Sequence, residues 1–297
     1  MTTMDAGTRV ALKNILYLTD FSAPSERALP FVRAIAREYK SNVYVLHAMI
    51  PNPMACATPE SAAIAIEAQQ DEASSEIVRI ESECPGLSLN SILERGTGVW
   101  ASAEHAIREY RIDLVMLGTH GRTGAKKFFL GSVAEEILRR SRVPVLLVGP
   151  SVHRNPEKGV TFRRILFATD FGLESAGAAP YAICLAQESR ASLTALHVIR
   201  ESAADERGKQ AKISAALSGL DALFPASAKM LCQPESIVSH GDPAGRIVEI
   251  AERQDADLIV LGVHNRGRSI GVATHLERNI AHNVVVQARC PVLTVPG

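Results

Sequence analysis

The chain has 297 residues, of which 46% are hydrophobic and 22% charged, and its 32 basic residues balance its 32 acidic residues. This composition excludes a disordered or fibrous protein, and the balance of charge argues against a surface that recruits nucleic acid or an anionic membrane. Because domains of about 100 to 150 residues are the most common, the length predicts two domains.

The first residues and the cysteines indicate the cellular location and the kinds of site to expect. The first ten residues, "MTTMDAGTRV", contain no apolar leader, and no apolar run reaches the roughly 18 residues that span a bilayer. We therefore expect a cytoplasmic protein with no membrane partner. The five cysteines form no C-x-x-C pair and are odd in number, so we expect neither a disulfide framework nor a metal site.

Strand and helix patterns alternate regularly in the first half of the chain. Apolar, β-rich runs predict strands at 15–19, 43–49, 88–93, 112–117 and 144–148, and helical periodicity predicts helices at 24–39, 60–83, 97–110 and 131–141. Runs such as "DLVML" are apolar on successive residues, which is typical of strands buried on both faces of a parallel sheet. The pattern predicts an α/β fold.

The second half of the chain repeats the first. "ILYLTDF" at Ile15 returns as "ILFATDF" at Ile165, and "DLVMLGTHGR" from Asp113 returns as "DLIVLGVHNR" from Asp257. Repeated blocks in the same order indicate duplicated domains. We predict domains at 1–150 and 164–297, joined by a polar linker at 151–163 that contains Pro, Gly and charge.

The ends of the predicted strands locate a candidate site in the first half. Ligands of open α/β sheets bind beyond the carboxyl ends of the strands, where Asp20, Ala48 and the glycines after "DLVML" fall. A carboxylate such as Asp20 can accept hydrogen bonds from a purine amino group or a ribose hydroxyl, although it could instead cap the following helix.

A glycine-rich loop leads from this strand end into a helix that opens at Gly131 and Ser132. The first amides of a helix have no intrahelical acceptor and attract anions, so the loop is a candidate phosphate cradle. The alternative is a simple turn in which Ser132 caps the helix. His120 is placed either to contact phosphate or to brace the loop.

The pattern G-x-x-G-x9-G-S, together with "ILYLTD" and "VPVLLV", resembles the universal stress protein family, and both halves share the resemblance almost end to end. It implies two tandem Rossmann-like domains of the adenine nucleotide alpha hydrolase type. Each would contain a five-stranded parallel sheet of order 3-2-1-4-5. The resemblance also implies ATP as the ligand, with or without Mg²⁺. Carried over by position, the implied nucleotide-binding residues are Leu18, Asp20, Ala48, Leu117, Gly118, His120, Gly121, Gly131, Ser132 and Val133.

The second half departs from this pattern. Gly262 persists, but Asn265 replaces the second glycine, and Arg278 and Asn279 occupy the Gly-Ser position. We therefore predict one ATP per chain, in the first half. Asp170 persists, so an adenosine-like pocket without a triphosphate site could remain, and the local arginines could hold another anion or be solvated.

These features predict an ATP-binding protein with a regulatory or stress-response role. Neither a P-loop nor a catalytic set is recognisable, and His47 and His197 are interpreted as packed residues at strand ends. A slow ATPase or phosphotransfer enzyme, and an interaction module that binds another adenylate, remain alternatives. The resemblance implies that 143–148 and 290–295 pair the two halves as a pseudo-dimer, with a homodimer and a protein partner also expected.

Overall fold

The structure is a computed structural model, and it describes residues 10, 12–50, 59–95, 98–119, 130–152, 156, 162–200, 206–263 and 272–297. Strands and helices alternate in both halves of this described part. The first half contains β1 (Asn14–Leu18), α1 (Ala23–Glu26), α2 (Leu29–Tyr39), β2 (Asn42–Met49), α3 (Pro59–Glu83), β3 (Ser88–Arg95), α4 (Val99–Glu109), β4 (Leu114–Gly118), α5 (Ser132–Arg140) and β5 (Val145–Val148).

The second half follows the same order of strands. It contains β6 (Arg164–Ala168), α6 (Leu173–Ser189), β7 (Ser192–Ile199), α7 (Glu206–Leu223), α8 (Ala226–Cys232), β8 (Glu235–His240), α9 (Pro243–Arg253), β9 (Leu258–Val263), α10 (Val272–Gln287) and β10 (Val292–Pro296). None of the described helices is long and apolar enough to cross a membrane.

The helix predicted at 24–39 is divided into α1 and α2. Pro30 lies in the first turn of α2, where its missing N–H leaves no intrahelical bond unmade. In an unbroken helix from residue 23, the same proline would remove a bond to the carbonyl four residues back and clash with it. The chain therefore ends α1 at Glu26 and starts again at Leu29.

The ten described strands lie in one sheet of order β3-β2-β1-β4-β5-β10-β9-β6-β7-β8. Each half therefore has the order 3-2-1-4-5 with parallel neighbours, which confirms the predicted fold class. The halves meet where β5 and β10 pair antiparallel, with Val292 opposite Leu147 and Thr294 opposite Val145.

Helices cover both faces of the sheet, which explains the continuous apolar runs. Along β1, Ile15 and Tyr17 pack in one cluster with α2 and α3, while Leu16 and Leu18 pack in the other with α4 and α5. Burying apolar area stabilises a fold by about 25 cal/mol per Å², so strands buried on two faces supply much of its stability.

One aspartate in each half holds the amino-terminal end of the central strand. A carboxylate oxygen of Asp113 accepts hydrogen bonds from the amides of Lys13 and Asn14, at 2.8 and 2.9 Å. Asp257 repeats this arrangement with the amides of Arg163 and Arg164, at 2.7 and 2.9 Å. The duplication seen in the sequence is thus also a duplication of contacts.

The described residues at either side of the predicted linker pack closely against the rest of the fold. A Cβ on Gly149 would lie 2.4 Å from the carbonyl oxygen of Val285 in α10, so this approach requires glycine. Val152 and Phe162, at either end of the predicted linker, are buried. The ends of that segment therefore belong to the core.

Candidate functional site

The carboxyl ends of β1, β2 and β4 and the start of α5 enclose a cavity of about 230 Å³ in the first half. Eight of the ten predicted residues line this cavity: Leu18, Asp20, Ala48, Leu117, Gly118, Gly131, Ser132 and Val133. The other two, His120 and Gly121, lie outside the described residues. Parallel strands present their carboxyl ends at one edge, which explains why residues so distant in sequence meet here.

Asp20 is half-buried and shapes the turn that follows β1. Its Oδ1 accepts hydrogen bonds from the Ser22 amide at 3.0 Å and from the Ser22 hydroxyl at 2.5 Å. The N-cap of α1 is Ser22 itself, whose side chain accepts from the Ser25 amide. Asp20 is therefore not the helix cap, and its carboxylate lies against the cavity with its position held by the turn.

His47 is a packed, hydrogen-bonded side chain, as the sequence indicated. Its Nδ1 lies 2.9 Å from the carbonyl oxygen of Thr19, to which the protonated nitrogen donates. Its ring contacts that of Phe21, with centroids 4.4 Å apart. Phe21 has φ 59°, a left-handed conformation that turns the chain sharply after the strand. His47 thus supports the wall of the cavity.

The amino-terminal end of α5 faces the cavity without a side-chain cap. Gly131 is the N-cap residue, with φ −62° and ψ 150°, and Ser132 is the first helical residue. Ser132 therefore does not cap the helix. The Gly131 amide donates to the carbonyl of Thr119 at 2.8 Å, so the anion-attracting donors are the next amides of the first turn.

Gly118 is required for packing rather than for a special backbone angle. A Cβ at this position would lie 2.5 Å from the carbonyl oxygen of Pro24 and 2.8 Å from the Cα of Ser25. The glycine lets the turn of α1 close over the end of β4 and so forms one wall of the cavity. The sequence motif identified the residue but not this reason.

Several lining residues were not among the predicted ones. Thr119 directly follows Gly118 and is buried, and Val99 comes from the start of α4. Position after a strand end could have identified Thr119, whereas Val99 is far along the chain and carried no local signal. Beside it, Trp100 is half-buried and packs against the core, with the guanidinium of Arg140 5.4 Å above its ring.

The second half encloses a larger cavity of about 720 Å³ at the equivalent position. Asp170, Phe171 and His197 repeat Asp20, Phe21 and His47. The Nδ1 of His197 again lies 2.9 Å from a carbonyl oxygen, that of Thr169. α7 contributes a wall to this cavity, whereas the described residues of α3 do not line the first one.

The carboxyl of Asp170 is held by a different set of donors from that of Asp20. Its Oδ1 accepts from the Gly172 amide at 2.9 Å and from the Ser175 hydroxyl at 2.6 Å. Burial raises the pKa of Asp170, but these hydrogen bonds outweigh it and hold the pKa below its ordinary value. The group is therefore charged at neutral pH.

The helix that follows the loop starts at different points in the two halves. Aligned on Pro144 and Pro291, α5 begins at Ser132, whereas α10 begins at Val272, seven residues earlier. Ile280 and Ala281, which match Val133 and Ala134, line the second cavity from within α10. Their amides lie beyond the first turn and bond to carbonyls of the preceding turn.

Among the described residues, no three His, Cys, Asp or Glu side chains are grouped so that they could hold a metal ion. The described polar lining of the first cavity consists of hydroxyls, one carboxylate, one imidazole and backbone groups. Such a lining can exchange hydrogen bonds with a base and a sugar, and the end of α5 can stabilise an anion.

Comparison with known proteins links this arrangement to one family. The profile of the universal stress protein family matches residues 11–149 and again residues 161–296. Universal stress protein YxiE of Bacillus subtilis is 31% identical over 150 residues, which cover 45% of this chain and 99% of that protein.

A solved structure shares the fold over almost the whole chain. A universal stress protein from Archaeoglobus fulgidus has a TM-score of 0.71 and 20% identity, covering 95% of this chain and 98% of the other. A universal stress protein solved in complex with cAMP is 24% identical and covers 46% of this chain and 97% of its own, with a TM-score of 0.33.

Proposed function

Because this chain belongs to the universal stress protein family, we propose that it is an ATP-binding regulatory protein with a role in stress response. It holds one nucleotide per chain, in the first half. We assign residues 1–150 to the ATP-binding domain, 151–163 to the linker and 164–297 to the second domain. A cytoplasmic location stays a prediction.

One observation carries the proposal: the cavity lies between the carboxylate of Asp20, at the end of β1, and the uncapped amino-terminal end of α5. A nucleotide has the matching polarity, with hydrogen-bonding base and sugar at one end and negative charge at the other. The cavity of about 230 Å³ is smaller than most ligand pockets, which measure about 300 to 1,000 Å³. We therefore place the nucleoside inside and the phosphates at the mouth.

The hydrogen bonds and apolar contacts that the first cavity offers are sufficient for micromolar affinity for ATP. Hydrogen bonds to a charged group contribute about 1.5 to 3 kcal/mol each, and the first-turn amides of Ser132, Val133 and Ala134 can supply several. Together with burial of the base against Leu18 and Leu117, this can reach about −8 kcal/mol, which corresponds to micromolar affinity. By the family resemblance, His120 and Gly121 join the phosphate contacts, and Mg²⁺ accompanies the phosphates or is dispensable.

The start of α10 supports a single nucleotide per chain. α10 already includes residues seven positions before the equivalent of Ser132, or about 10 Å nearer its amino-terminal end, since each residue adds 1.5 Å. The second cavity therefore lacks uncapped helix amides at the place where α5 offers them. We assign the second half to structure and partner recognition.

The antiparallel pairing of β5 with β10 supports an internal pseudo-dimer of the two domains. In this proposal ATP stabilises one conformation of the first site, by RT ln(1 + [L]/Kd), and so changes which protein partner the chain binds. Further association into a homodimer is part of the same proposal.

The decisive experiment identifies what the purified protein carries and how much it binds. Small molecules are released by denaturation and identified by mass, and ATP is then titrated by calorimetry. We expect an adenine nucleotide and one site per chain. The variant Gly131→Arg, which places a side chain at the mouth, should lose binding. Gly177→Arg, where a Cβ meets nothing within 4 Å, is the matched control.

Two results would contradict the proposal. One is two equivalent ATP sites per chain, and the other is unchanged affinity in Gly131→Arg. Turnover of radiolabelled ATP that Gly131→Arg abolishes would instead identify a slow ATPase or phosphotransfer enzyme. Release of a different adenylate would identify an interaction module.

A further inference from the structure

The second cavity combines an apolar floor with a charged rim. The floor is formed by residues that are almost completely buried: Ala168, Leu196, Ala216, Ile247 and Leu261. At about 720 Å³, the cavity is of the size that accommodates drug-sized ligands. An apolar cavity of this size that opens to solvent favours a ligand with a substantial apolar body.

A cationic side chain lies at the opening. Arg200 directly follows the carboxyl end of β7, and its exposed side chain lines the cavity. Because a long cationic side chain can lay its stem along apolar surface and keep its charge at the edge, Arg200 suits a ligand whose charged end stays at the rim. A ligand that pairs with Arg200 carries a negative charge.

Two other features of the second cavity argue against a nucleotide polyphosphate as its ligand. Beside Ile280 and Ala281, α10 offers only amides that are already bonded within the helix. α9 begins at Pro243 in the lining, but the carboxylate of Asp242 caps it by accepting from the Gly245 amide. Among the described residues, these two helices therefore offer no bare first-turn site to a phosphate. The carboxylate of Asp170 is occupied by Gly172 and Ser175 and repels a second anion from its side of the opening. A ligand with a single negative charge, placed near Arg200 and away from Asp170, fits these charges.

We propose that the second half binds an amphiphilic monocarboxylate, with its acyl or aromatic body in the 720 Å³ cavity and its carboxylate at Arg200. This site is separate from the proposed nucleotide site and does not depend on it. A chain with both sites responds to two chemically different small molecules.

Direct titration of the full-length protein tests the proposal. The probes are decanoate and 2-naphthoate, with decanol and decylamine as analogues that lack the negative charge. We expect saturable binding of at least one carboxylate, one per chain, at least tenfold tighter than either analogue. Saturating ATP should leave this affinity within twofold, because the sites differ.

Two pairs of variants locate the site. Arg200→Glu should weaken carboxylate binding at least tenfold, whereas Arg207→Glu, the same charge change on an exposed residue of α7 outside the lining, should change it less than twofold. Ala215→Trp places an indole in the cavity and should also reduce binding tenfold. Ala211→Trp, one helical turn away and outside the lining, is its control. Circular dichroism melts verify that each variant folds.

The proposal is overturned if neither carboxylate binds saturably below millimolar concentration, or if the uncharged analogues bind as tightly. Equal effects of the two glutamate variants, or of the two tryptophan variants, would also overturn it. So would stoichiometric competition by ATP, since it would place the carboxylate in the first cavity.

Discussion

The amide of Gly131 donates a hydrogen bond to the carbonyl of Thr119 at 2.8 Å, which joins the two ends of the loop between β4 and α5. This bond holds the start of α5 against the end of β4 and orients its first turn toward the cavity. It also uses the amide of Gly131, so in the proposed phosphate cradle the available amides begin at Ser132. Apart from Gly131, the lining residues on this side are Ser132, Val133 and Ala134.

A carboxylate at position 132 should have opposite effects on stability and on ATP affinity. Ser132→Asp places a negative charge in the first turn of α5, which stabilises the free protein by about 0.3 to 1 kcal/mol through the helix dipole. The same charge repels phosphate, so the affinity for ATP should fall at least tenfold. Thermal melts without nucleotide and calorimetric titration measure the two effects. The neutral variant Ser132→Asn should show neither, and parallel changes in both quantities would contradict the cradle.

Adding one methyl group at Gly118 should destabilise the fold. In Gly118→Ala the new Cβ lies 2.5 Å from the carbonyl oxygen of Pro24, so the turn of α1 must move. Overpacking of this kind costs about 1 to 3 kcal/mol, which urea unfolding can measure. Gly177→Ala, in the open interior of α6, should instead stabilise by about 0.5 to 1 kcal/mol. If Gly118→Ala were as stable as the parent protein, the turn of α1 would move without an energetic cost, and the prediction would be wrong.

Asp170 should stabilise the second half at neutral pH and lose this effect in acid. Its pKa is lower in the folded protein than the ordinary value of about 3.9. A group with a depressed folded pKa contributes stability above its unfolded pKa, and this contribution disappears as pH falls through the folded pKa. Asp170→Asn should therefore be less stable than the parent at pH 7, and the difference should shrink below about pH 4. Denaturant unfolding across this range checks it; a pH-independent difference would contradict it.

The fluorescence of Trp100 should report nucleotide binding. This is the only tryptophan in the chain, it follows Val99 in the cavity lining, and Arg140 lies over its ring. ATP that contacts Val99 and the first turn of α5 changes the surroundings of the indole. We expect a saturable change in emission at the calorimetric Kd, and no change in Gly131→Arg. A signal that persists in that variant would mean that the nucleotide binds elsewhere.

Much of the fold was predictable because its signals are local. The predicted strands at 15–19 and 43–49 correspond to β1 and β2 within one residue at each end, since runs buried on both faces have an unmistakable composition. The split between α1 and α2 was not predicted, because a proline signals a helix start or a kink equally well until its neighbours are packed.

The candidate site was predictable in position and less so in detail. Asp20 and Gly118 were recognisable because the carboxyl ends of parallel strands share an edge, and both line the first cavity. The reasons for their presence were not. Gly118 accommodates Pro24, and Asp20 holds Ser22, and both contacts depend on how the turn of α1 folds back over the sheet.

The sequence alone determined three features: the duplication, the α/β alternation and the edge of the sheet that carries the candidate site. Each of them follows from the spacing of motifs or from hydrophobic periodicity. Only the tertiary structure decided that α10 starts seven residues before the position equivalent to the start of α5 and that the second cavity is the larger one. The volume of a cavity depends on how remote helices such as α7 pack across it. Packing of that kind joins residues that no local pattern in the sequence connects.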